Sequence, residues 1–297
     1  MTTLIQSLRL SFSSSSGLGR FALGLMLALG GVGFAPGAVQ AQNTYVVNSK
    51  ADDPDSNLGD GVCQTSNDEC TLRAALQEAG ESAVTDTVSF ADIPTGGIVG
   101  GDFAIIGLTG DQPTVQNAYV DGTTAPGYPS DMGGPIVGLD GSGLSSSIQQ
   151  GIELDDGSNH VLKAVSVFNA PDDGIAVFEG NSKVIDNWVG VRPNGEVAPN
   201  GQDPDDNDLA ALYLGRDDTV VRGNLVSGNS CENAVAGNTC SAVHVDGLNI
   251  TLEGNMIGVA PDGSADPAYA NDGTGVWVED VDAGEVDVGY GYDETIS

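Results

Sequence analysis

The chain has 297 residues, and its 42 acidic residues against 9 Lys and Arg give a formal net charge of −33 at pH 7. A surface of this charge gains nothing by displacing counterions from phosphates and is repelled by anionic lipids, so nucleic-acid binding and docking on anionic membranes are disfavoured. Aromatic residues make up 5% of the chain and Gly occupies 43 positions, so we expect an aliphatic core with many sites where only Gly fits.

Residues 1–41 carry the features of a signal peptide. They contain Arg9 and Arg20 but no acidic residue, and a short apolar stretch follows Arg20. Val39 and Ala41 suit the −3 and −1 positions of a signal-peptidase site. An uncleaved membrane anchor is the alternative, but the apolar stretch is short and rich in Gly. We therefore predict export by a cleaved signal peptide, no membrane insertion after cleavage, and a secreted or cell-surface location.

Residues 42–85 form a predicted N-terminal cap. The sequence Thr44-Tyr-Val-Val-Asn48 is typical of a strand, and residues 72–79 are typical of a short helix with Thr71 as N-cap and Gly80 as stop. An exposed sheet edge recruits other chains, so we expect this helix to cover one.

The four cysteines form two local pairs. Cys63 and Cys70 are seven positions apart, Cys231 and Cys240 are nine apart, and each pair lies in a segment rich in Gly, Asn, Asp and Ser. In an exported protein, disulfides 63–70 and 231–240 are the simplest of the three possible pairings. A zinc site is the alternative, but the spacing does not fit one.

Two acidic segments are candidate calcium sites. In the first, oxygen-bearing residues stand at close intervals, as loops that bind hard cations require, although Leu58 occupies the position of the Gly in an EF-hand. The alternative for both segments is a solvated acidic loop. The predicted ligands are Asp53, Asp55, Asn57 and Asp60 in the first segment and Asp203 and Asp205 in the second.

A repeated pattern begins near residue 150. Two apolar residues flank one outward residue, another apolar residue follows seven positions later, and Asn comes after ten. The copies begin at Ile152, Ile175, Leu212, Val243 and Val276; Ala164 replaces the Asn in the first, and the later register of the last is blurred. Strands separated by turns, without helices and in units that cannot bury their own apolar face, predict an all-β parallel β-helix over residues 86–297.

The repeat assigns structural roles to several polar residues. Asn187, Asn224 and Asn255 share one offset, so we predict an interior stack in which each amide bonds its neighbours; ordinary turn chemistry is the alternative. Arg222 and Glu253 also share an offset and are expected to pair on adjacent coils.

Two loops with similar sequences interrupt the repeat. Val189-Gly-Val-Arg-Pro-Asn-Gly195 and Ile257-Gly-Val-Ala-Pro-Asp-Gly263 align closely, which predicts that both leave the same corner of successive coils. Loops on one edge of a rigid scaffold often carry binding sites.

Several motifs resemble a known family. Asp60-Gly-Val-Cys63 and Cys70-Thr-Leu-Arg-Ala-Ala-Leu76 resemble the CSLREAI domain at the start of many exported bacterial β-helix proteins, with Thr71, Ala74 and Leu76 departing from its pattern. Asn187-Trp-Val-Gly190 is similar to the repeated Asn-x-Ile-Gly turn of that group. The resemblance covers roughly residues 44–290 and implies a right-handed, pectin-lyase-like parallel β-helix. It implies no particular activity, because this fold carries both enzymes and adhesins.

Asp172 and Asp173 are the candidate catalytic residues. They resemble the paired Asp motif of polygalacturonases, and hydrolysis needs two carboxyl groups about 5–10 Å apart. However, the Gly-His-Gly and Arg-x-Lys elements of those enzymes are missing, and Asp-Asp-Gly is also typical of a turn. A uronate lyase would need clustered cations, which the repeat register does not gather in one row. We therefore expect no catalysis; a polysaccharide lyase or glycoside hydrolase is the alternative.

Tyr213, His244 and Trp277 are the candidate ligand-binding face. Each is the outward residue between two strand anchors, so the three should lie in line and offer a platform for sugar rings. Stacking for stability alone is the alternative. We predict an exported, non-catalytic scaffold for adhesion or glycan contact. The last repeat is incomplete, so its open edge is expected to pair with further chain or with a partner.

Overall fold

A computed structural model of the chain describes residues 42–96, 102–129, 133–145, 149–201, 208–230, 239–279 and 287–289. These described residues all belong to one compact unit. Among the described residues, no helix has the length and hydropathy needed to cross a bilayer.

Short strands make up most of the described structure. The first ten are β1 (Thr44–Val46), β2 (Asp86–Ser89), β3 (Ala104–Gly110), β4 (Thr114–Val115), β5 (Ala118–Asp121), β6 (Val137–Leu144), β7 (Ile152–Leu154), β8 (Val161–Lys163), β9 (Val165–Phe168) and β10 (Ile175–Val177). The next ten are β11 (Lys183–Ile185), β12 (Trp188–Val189), β13 (Asp208–Leu214), β14 (Val220–Arg222), β15 (Leu225–Val226), β16 (Thr239–Val245), β17 (Thr251–Glu253), β18 (Met256–Ile257), β19 (Thr274–Val278) and β20 (Asp287–Gly289). One α-helix, α1 (Leu72–Gly80), and two 3-10 turns, Gly122–Thr124 and Pro267–Tyr269, complete the elements.

The strands form three parallel sheets. Sheet 1 has the order β1-β2-β5-β8-β11-β14-β17-β20, sheet 2 the order β4-β7-β10-β13-β16-β19, and sheet 3 the order β3-β6-β9-β12-β15-β18. From β3 onward the chain visits sheets 3, 2 and 1 in turn, so each strand pairs with strands three places away in the chain. One round of three strands is called a coil below. The arrangement is all-β and parallel β-helix-like, which agrees with the predicted fold class at this level.

Aliphatic side chains from all three sheets form one continuous core. Each strand turns one set of side chains inward, and the parallel register stacks like positions from coil to coil. The inward rows are fully or almost fully buried, and they include Val120, Leu162, Val184, Val221 and Leu252 in sheet 1, Ile152, Ile175, Leu212 and Val243 in sheet 2, and Leu139, Val167, Val189 and Val226 in sheet 3.

An asparagine ladder runs along the bend between sheets 1 and 3. The Asn187 side chain donates to Asn224 Oδ1 (3.1 Å), and Asn224 donates to Asn255 Oδ1 (2.9 Å). Asn224 also donates to the Val184 carbonyl of the preceding coil (2.8 Å). Asn187 and Asn224 therefore each join their own coil to both neighbours, in the stack that the common offset of these residues indicates.

A second asparagine ladder lies after sheet 3. Asn200 donates to Asn229 Oδ1 (3.1 Å), and Asn229 donates to Asn271 Oδ1 (3.0 Å). Sequence reasoning missed this ladder because its members follow the ends of β12, β15 and β18 at different distances, so they share no offset from the strand anchors.

The cap helix α1 packs against β2, β4 and β5, where β4 is the edge of sheet 2. Thr71 is its N-cap, as predicted, and accepts a hydrogen bond from the Ala74 amide (3.0 Å). Gly80, predicted as the stop, is instead the last helical residue, and Glu81 follows as C-cap. A Cβ at Gly80 would lie 2.4 Å from Gln116 Oε1, so a larger residue there would require the Gln116 side chain to move.

The segment before α1 is tied to the helix. The predicted disulfide Cys63–Cys70 is formed. Glu78, which is 2% exposed, accepts hydrogen bonds from the amides of Gly59 (2.7 Å) and Gly61 (2.8 Å). The predicted Cys231–Cys240 disulfide lies outside the described residues, because Cys231 is not among them. The predicted boundary between residues 85 and 86 stays a prediction; β1 and β2 pair across it.

Candidate functional site

The candidate site is an outward row of sheet 2. Strand register places Ala176 opposite Tyr213, Tyr213 opposite His244, and His244 opposite Trp277. Glu153 lies at the other end of the row, opposite Ala176. The three residues predicted as a binding face therefore stand on three consecutive strands, β13, β16 and β19. Their part in ligand binding stays a prediction.

Two rings of the row, Tyr213 and His244, contact each other. Tyr213 and His244 meet edge to face with centroids 5.2 Å apart, and Phe178 lies 5.6 Å from Tyr213 on the other side. These distances are in the range in which aromatic pairs attract each other. Tyr213 therefore packs against both Phe178 and His244.

Each polar end of the row meets a carboxylate. Tyr213 donates its hydroxyl hydrogen to Asp246 (3.2 Å), and His244 Nε2 lies 3.1 Å from Glu279 Oε2. Burial and the nearby Asp246 raise the pKa of Tyr213 to about 12, so its hydroxyl stays protonated at neutral pH. The arrangement presents hydrogen-bonding groups beside aromatic rings, which is the combination that recognises ligands with both polar and apolar faces.

Accessibility differs sharply along the row. Trp277 is 39% exposed, whereas His244 is only 4% exposed and Tyr213 is half-buried. Trp277 owes part of this exposure to its strand, since β19 ends sheet 2 in the described residues. The three residues therefore lie in line, as predicted, but they differ in how open they are to solvent. Trp277 is the accessible ring, and His244 and Tyr213 follow it on the next two strands of sheet 2.

Asp172 and Asp173, the candidate catalytic pair, lie just before β10 and are each 6% exposed. Asp172 accepts a hydrogen bond from Gln150 Nε2 (3.1 Å), and Asp173 accepts one from the Ala210 amide (2.9 Å). Both carboxylates therefore bind neighbouring coils together. This geometry gives them a structural role in the turn and offers little access to a polymer substrate.

The first predicted calcium loop is organised by its own amides. Asp55 accepts hydrogen bonds from the backbone amides of Asn57 (2.7 Å) and Gln64 (2.8 Å), and Asp60 accepts one from the Asn57 side chain (2.8 Å). Asp53 accepts one from the side chain of Asn67 (3.4 Å). Across the described residues, no group of three or more His, Cys, Asp or Glu side chains is arranged to hold a metal ion. The other predicted ligands, Asp203 and Asp205, lie outside the described residues.

Two cations of sheet 1 share a row, although the repeat register was expected to keep the cations apart. Arg222 pairs with Glu253 across adjacent coils (2.8 Å), as predicted, and both side chains are solvated. However, Lys163 and Arg222 share one row, with Ile185 between them. Two cations do therefore line up, although the aliphatic Ile185 separates them and Glu253 pairs with one of them.

The two similar loops also correct an expectation. The strands that precede them, β12 and β18, are not neighbours in sheet 3, because β15 lies between them. The loops therefore leave alternate coils rather than successive ones. The intervening coil continues as Ser227-Gly-Asn229 and lacks the Pro-x-Gly turn.

Comparisons with protein-family models, with curated proteins and with solved structures find no match for the chain.

Proposed function

We propose that this protein is a non-catalytic scaffold of the CSLREAI type, a right-handed parallel β-helix that contacts a glycan through the outward row of sheet 2. Support for the solenoid comes from the regular visiting order of the three parallel sheets and from the two asparagine ladders. Export through the signal peptide at residues 1–41 belongs to the same proposal, and its support is the sequence pattern.

The observation that carries the proposal is the aligned row of Tyr213, His244 and Trp277. Trp277 offers an accessible ring to the apolar face of a sugar, and the carboxylates of Asp246 and Glu279 stand beside the row as hydrogen-bond acceptors for hydroxyls. The net charge of −33 repels polyanions, so we expect a neutral glycan rather than an acidic one.

The absence of catalysis in this proposal is supported by the position of the acidic pair. Asp172 and Asp173 are buried and hold neighbouring coils through hydrogen bonds. A hydrolase needs one carboxyl group that reaches the glycosidic oxygen and a second that reaches the sugar or its attacking water. A buried pair engaged in hydrogen bonds between coils is poorly placed for either task.

The test is glycan binding by the purified protein and by two variants. Trp277→Ala should lower the affinity for the bound glycan about tenfold, because it removes the accessible ring of the face. Val278→Ala is the matched control, since Val278 lies on the same strand and is 42% exposed but belongs to the neighbouring row. The control should bind like the unchanged protein.

Two results would contradict the proposal. One is that no neutral glycan in a broad panel binds the unchanged protein. The other is that Trp277→Ala, folded according to its circular dichroism, binds as tightly as the unchanged protein.

A further inference from the structure

A groove lies between the two similar loops beside sheet 3, whereas the outward row described above belongs to sheet 2. Its volume is about 490 Å³, within the usual range for small-ligand sites. It is lined by Trp188, Pro193, Asn194, Gly195, Ala260, Pro261, Asp262, Ser264, Asp266 and Tyr269.

Two matching hairpins form the walls. In the first, the Gly195 amide donates to the Arg192 carbonyl (2.8 Å) and the Arg192 amide to the Glu196 carbonyl (2.8 Å). In the second, the Gly263 amide donates to the Ala260 carbonyl (2.8 Å) and the Ala260 amide donates to the Ser264 carbonyl (3.0 Å). The two glycines have φ of +86° and +78°, as the last position of a three-residue hairpin loop requires.

The residue before each glycine holds its hairpin in the same way. Asn194 Oδ1 accepts from the Glu196 amide (3.1 Å), and Asp262 Oδ1 accepts from the Ser264 amide (2.9 Å). The two side chains are therefore structurally equivalent, and they differ in charge. This pair provides a natural template for removing the charge of Asp262 without losing its turn.

Two packed aromatic rings and a hydrogen bond between the loops fix the shape of the groove. Trp188 and Tyr269 are half-buried and pack on an apolar cluster of Val191, Leu225 and Val259. The Tyr269 hydroxyl donates to the Gly195 carbonyl (2.6 Å), which ties the segment after the second hairpin to the first hairpin. The walls are therefore held in place before any ligand arrives, which lowers the ordering cost of binding.

The charge of the groove is negative. Asp262 and Asp266 line it, and none of its described lining residues is a cation. The cation nearest in sequence, Arg192, lies over the Phe168 ring at 5.1 Å instead. Hydrogen bonds from Ser264 keep the pKa of Asp262 below its ordinary value, so this carboxylate is ionised at neutral pH. Aromatic rings beside carboxylates attract organic cations by cation–π and ionic interactions.

We propose that this groove binds an alkylammonium group, with Trp188 and Tyr269 against its alkyl surface and Asp262 and Asp266 supplying the negative charge. This site shares no residue with the row of sheet 2, so the proposal for the groove does not depend on glycan binding by that row.

The experiment is a titration of the complete purified protein with choline, followed through the indole N–H resonance of Trp188. The chain has two Trp residues, so a Trp277→Phe variant identifies the Trp188 resonance. The neutral isostere 3,3-dimethylbutan-1-ol is the ligand control. We expect a saturable shift with choline, weaker binding of the alcohol, and a loss of choline affinity as salt is added.

Two substitutions remove charge while keeping the turns. Asp262→Asn copies Asn194 of the first hairpin, and Asp266→Asn keeps an acceptor for the Ala268 amide, which Asp266 now binds at 3.0 Å. Each should weaken choline binding about threefold and leave the alcohol unaffected. Asp217→Asn is the matched control, since Asp217 also accepts a backbone hydrogen bond, from Leu248 (2.8 Å), but lies outside the groove.

Equal affinity for choline and the alcohol would overturn the proposal, as would the absence of any Trp188 shift. Choline binding that is unchanged in the two folded Asn variants would also overturn it. If either variant unfolds, the salt dependence and the comparison of the two ligands in the unchanged protein still decide the question.

Discussion

At the scale of single residues, burial controls the protonation of the His160 side chain. It stands just before β8, at the register position that Ser182 and Thr219 occupy before β11 and β14. Ser182 and Thr219 satisfy their hydroxyls by donating to the carbonyls of Glu179 (2.7 Å) and Arg216 (3.1 Å). His160 is fully buried, and within the described residues neither ring nitrogen has a hydrogen-bond partner.

Burial lowers the pKa of His160 below its ordinary value of 6.5, although the charges of Glu179 and Asp155 oppose the shift. The folded protein therefore holds His160 neutral, while the unfolded chain takes up a proton as the pH falls below about 6.5. Stability that is present above this pH is lost as the pH falls. Relative to His160→Leu, the unchanged protein should lose up to about 1.4 kcal/mol of unfolding free energy per pH unit between pH 6.5 and the lowered pKa.

Urea unfolding of both proteins at several pH values between 5 and 8 measures this difference. The comparison with the variant cancels the titration of the many carboxylates, which both proteins share. Parallel stability curves for the two proteins would contradict the assigned burial of a neutral imidazole.

At the scale of elements, the sequence predicted what is periodic. Arg222 pairs with Glu253, and Asn187 bonds Asn224, because these residues keep a constant offset from their strand anchors. The second ladder has no such offset. The two hairpins stand on alternate coils because the coil between them carries no hairpin. Insertions of variable length therefore hide contacts that the register alone creates.

The first ladder should contribute strongly to stability. Asn224→Ala removes the side-chain oxygen that accepts from the Asn187 backbone N–H (2.8 Å) and the side-chain NH₂ that donates to the Val184 carbonyl (2.8 Å). The Asn187 N–H and the Val184 carbonyl then stay buried without these partners. Unsatisfied buried groups of this kind cost about 1–3 kcal/mol each, so we expect a loss of about 2–4 kcal/mol of unfolding free energy. Denaturant unfolding measures it.

Asn67→Ala is the control for this prediction. The Asn67 side chain is exposed and makes one long hydrogen bond to Asp53 (3.4 Å), so its loss should cost less than about 0.5 kcal/mol. Equal effects of the two substitutions would show that the ladder contributes no more than a surface amide.

At the scale of the whole molecule, repeats without helices were enough to predict an all-β, parallel fold, and the helix over residues 72–79 was predicted from its cap; the number of sheets came from the structure. The candidate site was predicted only in part. Register brings Tyr213, His244 and Trp277 together as expected, but the burial of His244 depends on packing around the row, which periodicity does not report. The two loops that form the walls of the groove were noted from their similar sequences, but the groove itself was missed because it also depends on Trp188 and Tyr269, which the alignment of the loops does not bring together.

The central claim is that the molecule contacts glycans without cleaving them. The most direct measurement follows neutral and acidic polysaccharides in the presence of the purified protein, with calcium and with EDTA, and records both binding and new chain ends. We predict binding of at least one neutral glycan that Trp277→Ala weakens, with no new reducing ends or unsaturated products above a heat-inactivated control. Cleavage products in any mixture would contradict the account and direct attention to Asp172, Asp173 and the cations of sheet 1.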